Sequence, residues 1–411
     1  MTAFSDHPQS RPATGWPLVV RQTTALFGDA VRRLRAAKLF WIALALSALV
    51  GGVIGVVGID DTGWSVPFFG HVNDPVNNTT IQPAEAFYRW IFIDFGVAIW
   101  LAYGATLLGL VSTASLIPSL IDEGSVDLYL SRPLGRIRLL LTRYATGLLF
   151  VAAQALCFAV VAIAVFAVRA GVFLPDLLWC VVYTTLLFSF LYCVSALVGL
   201  LSGNTLAALL ATGLLWAFVF AVDWAEFGVL FSRETNRVSV ELAEQQLARA
   251  EVVESRFNGP NSTAGEAPRA FATTQRSAAA DRLADAEESL ATTARIHQLV
   301  YWIKAPFPKL GETNALMRRH LIDAATVDRV RDAKLAENEA NVEASVDGND
   351  RITEQQKDEQ RGLLLSMMRG GSAASEAYGE RSLWWSIGTG LAFEGIVVLL
   401  CCVIFWRRDL A

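Results

Sequence analysis

Residues able to do chemistry are few in this chain, and they are scattered. The four histidines, His7, His71, His297 and His320, show no H-E-x-x-H or other ligand spacing, and no serine sits in G-x-S-x-G. No G-x-x-x-x-G-K-[ST] loop offers a cradle for phosphate, and no dinucleotide fingerprint is present. The chain is therefore expected to be non-catalytic, to hold no cofactor or metal of its own, and not to bind nucleic acid. Ionisable groups inside apolar runs are costly in lipid and are default candidates for function. Glu394 stands near the middle of the last such run, and Asp94 near the outer end of the second, five residues after Arg89. Glu394 fits a substrate path, a dimer gate, a proton site or a hydrogen bond to a neighbouring helix. Arg89 and Asp94 fit an interface position.

The elements that must position these groups are long and apolar. Of 411 residues, 54% are hydrophobic, and they are concentrated in six segments at about 39–59, 91–117, 144–168, 177–202, 205–222 and 384–406. Crossing ~30 Å of hydrocarbon takes about 20 helical residues. Only helices satisfy their own backbone groups there, so six transmembrane helices are expected. Gly51 and Gly55 of the first form a G-x-x-x-G that permits close helix packing. All five cysteines fall within spans, which fits small packing residues rather than a disulfide framework or a zinc site.

Charge sets the orientation. Arg11, Arg21, Arg32, Arg33, Arg35 and Lys38 precede the first span, Arg132, Arg136, Arg138 and Arg143 lie between the second and third, and Arg407 and Arg408 follow the last. The positive-inside rule then puts both termini in the cytoplasm of a multi-pass inner-membrane protein. With 38 largely polar residues ahead of it, the first span is expected to be an uncleaved anchor. Residues 17–39 carry Val20, Phe27, Val31 and Leu34 at helical spacing, the pattern of an amphipathic helix on the inner surface or of a basic flank.

Four regions follow: 1–38, cytoplasmic; 39–222, five spans with a connecting loop at 118–143; 223–383, a polar extracytoplasmic insert; and 384–411, the sixth span with a short tail. Within the insert Val240, Ala243, Leu247 and Ala250 keep a helical spacing, as do Leu283, Ala286 and Leu290, with Gly259-Pro260-Asn261-Ser262 between. This predicts an antiparallel helical hairpin, followed by helices at about 314–344 and 351–368. Leu299–Ile303 and Ala305–Pro308, aromatic and proline-bearing, suit either the outer membrane interface or the core of the insert. The fold class expected is an all-α integral membrane protein of six spans with a large helical insert between the fifth and sixth.

The most informative loop reads Ile121-Asp122-Glu123-Gly124-Ser125-Val126-Asp127-Leu128-Tyr129-Leu130-Ser131-Arg132-Pro133-Leu134-Gly135-Arg136. Acidic residues open a short helical piece, where the positive end of the helix dipole favours them. Leu128 and Leu130 offer apolar contacts, and Pro133 ends the element. Such a loop is suited to docking on a soluble partner. Glu123-Gly124-Ser125, then Leu128, Leu130-Ser131-Arg132-Pro133, Arg136 and Arg143-Tyr144, resembles the signature of ABC type-2 permeases, closest to the branch of multicopper-enzyme-maturation permeases. The resemblance covers the six-span layout and residues 118–150, and does not extend closely to the insert. It implies a permease subunit, an exporter by this likeness, that pairs with a second copy of itself and with a separate ABC ATPase carrying ATP and Mg²⁺. Residues 118–136 would include the coupling helix, with Asp122, Glu123, Gly124, Ser125, Asp127, Leu128 and Arg132 at the ATPase and the N-terminal helix as connecting helix. The family carries lysine where Arg143 stands, a change that keeps the charge. Two other readings compete. One is a membrane-anchored scaffold or sensor whose insert recruits extracytoplasmic proteins, and the other is an ion-coupled transporter using Glu394.

Overall fold

The computed structural model describes residues 24–25, 27–29, 31–32, 35–67, 70–73, 79, 83–121, 136–258, 264–313, 315, 324–347 and 353–407. Its six long apolar helices are each able to cross a bilayer, and the protein is a multi-pass, mostly helical membrane protein. The first span is α1 (Lys38–Val53). The second is composite: α2 (Ala84–Ile91), a π-helical stretch (Phe92–Ala105), α3 (Thr106–Thr113) and two 3-10 turns, Ala114–Leu116 and Pro118–Leu120. The third is α4 (Arg136–Arg169) and the fourth α5 (Trp179–Ser202). The fifth opens α6 (Thr205–Asn258), and the sixth is α10 (Leu383–Arg407). Between them the insert contributes α7 (Glu266–Lys304), α8 (Ala324–Asp347) and α9 (Glu354–Gly379). Before these, the described residues between 24 and 36 are helical, as the N-terminal spacing predicts, while Val20 and Leu34 lie outside the described residues.

Small residues decide where the spans approach. Gly51 and Gly55 both face the third span: a Cβ on Gly51 would lie 3.1 Å from the Phe158 carbonyl, and one on Gly55 would lie 3.0 Å from Val165. The G-x-x-x-G of the first span is thus a packing seam. Gly203 closes α5 with φ +64°, a left-handed conformation that glycine adopts without Cβ strain, so the fourth and fifth spans form a tight hairpin. Two apolar cores follow. One, on the side of the insert, gathers Phe87, Phe92, Phe158 and Phe166, and the other Phe40, Phe150, Phe188 and Tyr192.

The sequence reading did not foresee a small antiparallel sheet between the first two spans: β1 (Gly58–Ile59), β2 (Gly63–Val66) and β3 (Gly70–Asn73), in the order β1-β2-β3 with Trp64 opposite Val72. By alternation of the spans, this sheet, the turn after α4 and the insert share one side of the membrane. Ile121, Arg136 and residues 203–204 lie on the other.

The fifth apolar run does not end its helix. α6 continues for 54 residues, about 80 Å at 1.5 Å per residue, well beyond the ~30 Å of hydrocarbon. It pairs antiparallel with α7, as the spacing predicts, through a seam of small residues in which Ala243, Ala250, Ala272 and Ala279 are buried. Asn236 ties the pair by donating to the Ser289 carbonyl and to Thr293, each at 3.3 Å. α9, opened by a Thr353–Gln356 capping box, packs on α6, and Arg369–Glu339 and Arg361–Asp347 join it to α8.

Candidate functional site

The seven predicted docking residues, Asp122, Glu123, Gly124, Ser125, Asp127, Leu128 and Arg132, all lie outside the described residues. What is described is their frame: the 3-10 turn Pro118–Leu120 closes the second span, and α4 begins at Arg136.

Glu394 is placed by three helices. Tyr144 of α4 donates to its Oε1 at 2.8 Å, and Ser189 of α5 donates to its Oε2 at 2.7 Å. Tyr144 in turn lies in a stack with Tyr192 and Phe188, and Gly147 leaves the space that the Tyr192 ring occupies. Both carboxyl oxygens are thus engaged in joining the sixth span to the third and fourth, which is the hydrogen-bonding role among those the sequence left open. Asp94 belongs to a different level. It sits half-buried in the π-helical stretch, where nearby Gly96 faces Phe158, and Phe158 is about 20 Å along α4 from Tyr144. The structure does not bring Asp94 and Glu394 together. Arg89 bridges to Glu85 at 3.1 Å and to Asp176 at 2.7 Å, linking the second span to the start of the fourth at the membrane edge.

The site that sequence reasoning missed lies where the fifth and sixth spans leave the membrane on the insert side. Lys304, the last residue of α7, reaches Asp223 at 2.7 Å, Glu226 at 2.5 Å and Glu312 at 3.1 Å. Arg381, in the turn before α10, reaches Glu226 and Glu312, each at 2.5 Å. Ser386 of the sixth span donates to Glu312, and the Gly311 N–H donates to Asp223 at 3.1 Å. Glu226 and Glu312 expose none of their surface and Lys304 only 1%. Tyr378 of α9 lies under both cations, 5.3 Å from Lys304 and 4.9 Å from Arg381. Beside the network Lys309 donates to Thr389 at 2.8 Å and lies 5.0 Å over Trp385. Meanwhile Trp302 and Ile303 are exposed beside buried Lys304, so these two side chains of the aromatic segment lie outside the core of the insert. A signal was present: acidic residues follow the fifth apolar run directly, and two lysines stand inside an otherwise apolar segment.

Buried ions in such a network lose hydration and regain it only if every lone pair is met. Here the network joins α6, α7, α9 and α10 at one point, so it clamps the insert to the fifth and sixth spans. Burial opposes the charge of Lys304, but Tyr378, Asp223, Glu312 and Glu226 outweigh it and raise its pKa. Burial likewise opposes the charge of Arg381, which Glu226 and Glu312 hold up. For Glu312, burial favours the neutral acid, yet Lys304, Ser386 and Arg381 keep its pKa below 4.5. His297, beside Glu226, is lowered from 6.5 by burial despite that carboxylate. A raised base stabilises the fold below its unfolded pKa and is lost only at alkaline pH. A lowered acid stabilises above its unfolded pKa, and a lowered base is destabilising once pH falls below its unfolded value. The clamp is therefore expected to loosen on acidification in two stages, first below 6.5 as His297 is forced to charge and again below 4.5 as Glu312 protonates. Hydrogen exchange in the last turn of α7 across pH checks this, and His297→Gln should abolish the first stage alone.

A third group imitates a hydrolytic triad. Thr62 Oγ1 is 3.0 Å from His71 Nε2, and His71 Nδ1 is 3.3 Å from Asp60 Oδ2. However, the Thr62 hydroxyl donates to Asp60 Oδ1 at 2.9 Å, so no proton is left for His71 to accept. Asp60 also accepts the N–H groups of Thr62 and Gly63, and the group is open to water. It holds the turn of the hairpin rather than a nucleophile. Among the described residues no group of three or more His, Cys, Asp or Glu could hold a metal ion.

In comparisons with protein-family models, curated proteins and solved structures, no match to this chain was found.

Proposed function

We propose that this chain is the membrane-spanning permease subunit of an ATP-driven ABC exporter, whose separate ATPase docks on residues 118–136. The observation that carries the reading is the sequence Ile121–Arg136, held between the second and third spans on the side opposite the insert. Two copies of the chain would line a pathway, and two ATPases would act on the two loops. On this reading the N-terminal helix lies beside the loop on the cytoplasmic face. Closure of the ATPases moves the loop, the spans shift between inward- and outward-facing states, and α6 carries the shift of the fifth span into the insert without a joint.

The test is a mild-detergent pull-down of the tagged full chain from its own cells, with identification of co-purifying proteins by mass spectrometry. A Walker-motif ATPase is expected with the native chain. Glu123→Arg, which reverses the charge of the docking surface, is expected to lose it while the chain still inserts. A second reading, a scaffold that recruits extracytoplasmic proteins, is favoured by the size of the insert. Recovery of such proteins and no ATPase, from native chain and variant alike, would replace the permease reading with that one.

A further inference from the structure

Directly beneath the ion network lies a cavity of about 310 Å³ between the second, fourth and fifth spans, closed on the insert side by Leu310, Gly311 and Tyr378. That volume is in the range of pockets that bury a small organic ligand. Its walls carry the side chains of Tyr103, Trp216, Phe220, Trp224, Phe227 and Tyr378. The rings are arranged, not scattered: Tyr103 stacks on Trp216 at 5.8 Å and meets Phe220 edge-on at 6.3 Å, and Phe227 meets Tyr378 edge-on at 5.9 Å. From Trp216 to Asp223 the cavity runs about 10 Å along α6, from inside the hydrocarbon to its edge.

Among the described residues the lining carries one charged side chain, that of Asp223, whose carboxylate is bonded to Lys304 and to the Gly311 N–H behind it. No lysine, arginine or histidine lines the cavity among the described residues. In the network above, the three carboxylates Asp223, Glu226 and Glu312 meet two bonded cations, Lys304 and Arg381. Lys309 is turned to Thr389 and Trp385 instead. Glu226 and Glu312 each have both cations, whereas Asp223 has Lys304 alone among the described residues and faces the cavity. Aromatic faces present the negative side of their quadrupoles, which attracts a cation and most of all a poorly hydrated one.

We propose that this cavity binds lipophilic monovalent cations, an aromatic or alkyl body among the rings and the cationic centre toward Asp223. On the permease reading, on which this step rests, such cations are the substrate class. An anion would meet a carboxylate within aromatic walls. A neutral chain would gain only from the apolar walls. Access from the lipid fits the lining, because Trp224 is 69% exposed and Tyr103 43% on the outer surface of the helix bundle.

The experiment is equilibrium binding of radiolabelled benzyltrimethylammonium to the purified full chain in nanodiscs, without ATPase. Its neutral isostere, neopentylbenzene, serves as competitor. Binding is expected to be saturable and not displaced by the isostere. Trp216→Ala and Asp223→Asn should each weaken it by about tenfold, the scale of one cation–aromatic or charge contact. Ala102→Phe fills the cavity without touching the ion network and should abolish binding, with monodispersity and melting temperature as the folding control. Displacement by the isostere as readily as by unlabelled cation would overturn the proposal and assign the cavity to an apolar chain. Unchanged binding in well-folded Ala102→Phe would overturn it as well. Loss of cation binding with ATPase capture intact rejects the ligand class and leaves the permease. Cation binding without ATPase capture does the reverse.

Discussion

Lys304→Met is expected to destabilise the junction of the insert and the spans by about 3–5 kcal/mol, the usual cost of removing one partner from a buried ion network. The side chain is of similar length, so little packing volume changes. What changes is charge: Asp223 loses its cationic partner at 2.7 Å, and Glu226 and Glu312 are left to share Arg381. Carboxylates that keep their charge without hydration must either protonate or draw water into the joint. Thermal unfolding in detergent gives the size of the loss, and hydrogen exchange at the C-terminal end of α7 gives its place. Lys304→Met with Asp223→Leu and Glu226→Met should recover part of the loss, because the carboxylates stranded by the single change are replaced by apolar side chains and Glu312 keeps Arg381 as its partner. Should the single variant be as stable as the native chain, the network is not a clamp and the insert is held by helix packing alone.

The spans were legible because a bilayer leaves few options. The runs at 39–59, 177–202 and 384–406 correspond within a few residues to Lys38–Val56, Pro175–Ser202 and Trp384–Arg407. The second and third begin earlier than hydropathy suggests, at Ala84 and Arg136, since Glu85, Arg89, Arg136 and Arg138 lower the mean without breaking the helix. The helical hairpin of the insert was legible from its Ala and Leu spacing, and the later helices expected at 314–344 and 351–368 are described over Ala324–Asp347 and Glu354–Gly379, with 314, 316–323 and 351–352 outside the described residues. The ion network was not, because its members stand at 223–226, 304–312 and 381–386. Only the fold brings them together, and no local spacing encodes a contact across 78 residues. The hairpin at 58–73 was missed for a similar reason: Gly63 and Gly70 mark turns, but strands this short show no alternation. Glu394 was visible as an anomaly within the sixth span, while its partners Tyr144 and Ser189, polar but unremarkable in composition, were not.

Continuity of α6 is what would let a movement of the fifth span reach the insert, and one position tests it with opposite signs. Gly228 follows Asp223 and Glu226 by less than two turns, and a Cβ built there meets nothing within 4 Å. Gly228→Ala should therefore stabilise the helix by about 1 kcal/mol, the difference in helix propensity. Gly228→Pro removes the N–H that bonds one turn back to Trp224 and sets its ring against that carbonyl, at a cost of about 3 kcal/mol or more and with a kink. Spin labels at Leu214 and Ala248, both exposed, report the outcome directly. In the native chain and in Gly228→Ala they should give one narrow distance near 50 Å, the length of a straight helix between them. In Gly228→Pro the distance should shorten and broaden. If α6 is the lever of an ATP-driven permease, Gly228→Pro should still capture the ATPase, because the docking loop is on the other face of the membrane. ATP should then change label distances within the spans but not between spans and insert. A kinked α6 with that long-range change preserved would show that the insert moves by another route, of which the clamp at α10 through Arg381 and Ser386 is the most direct.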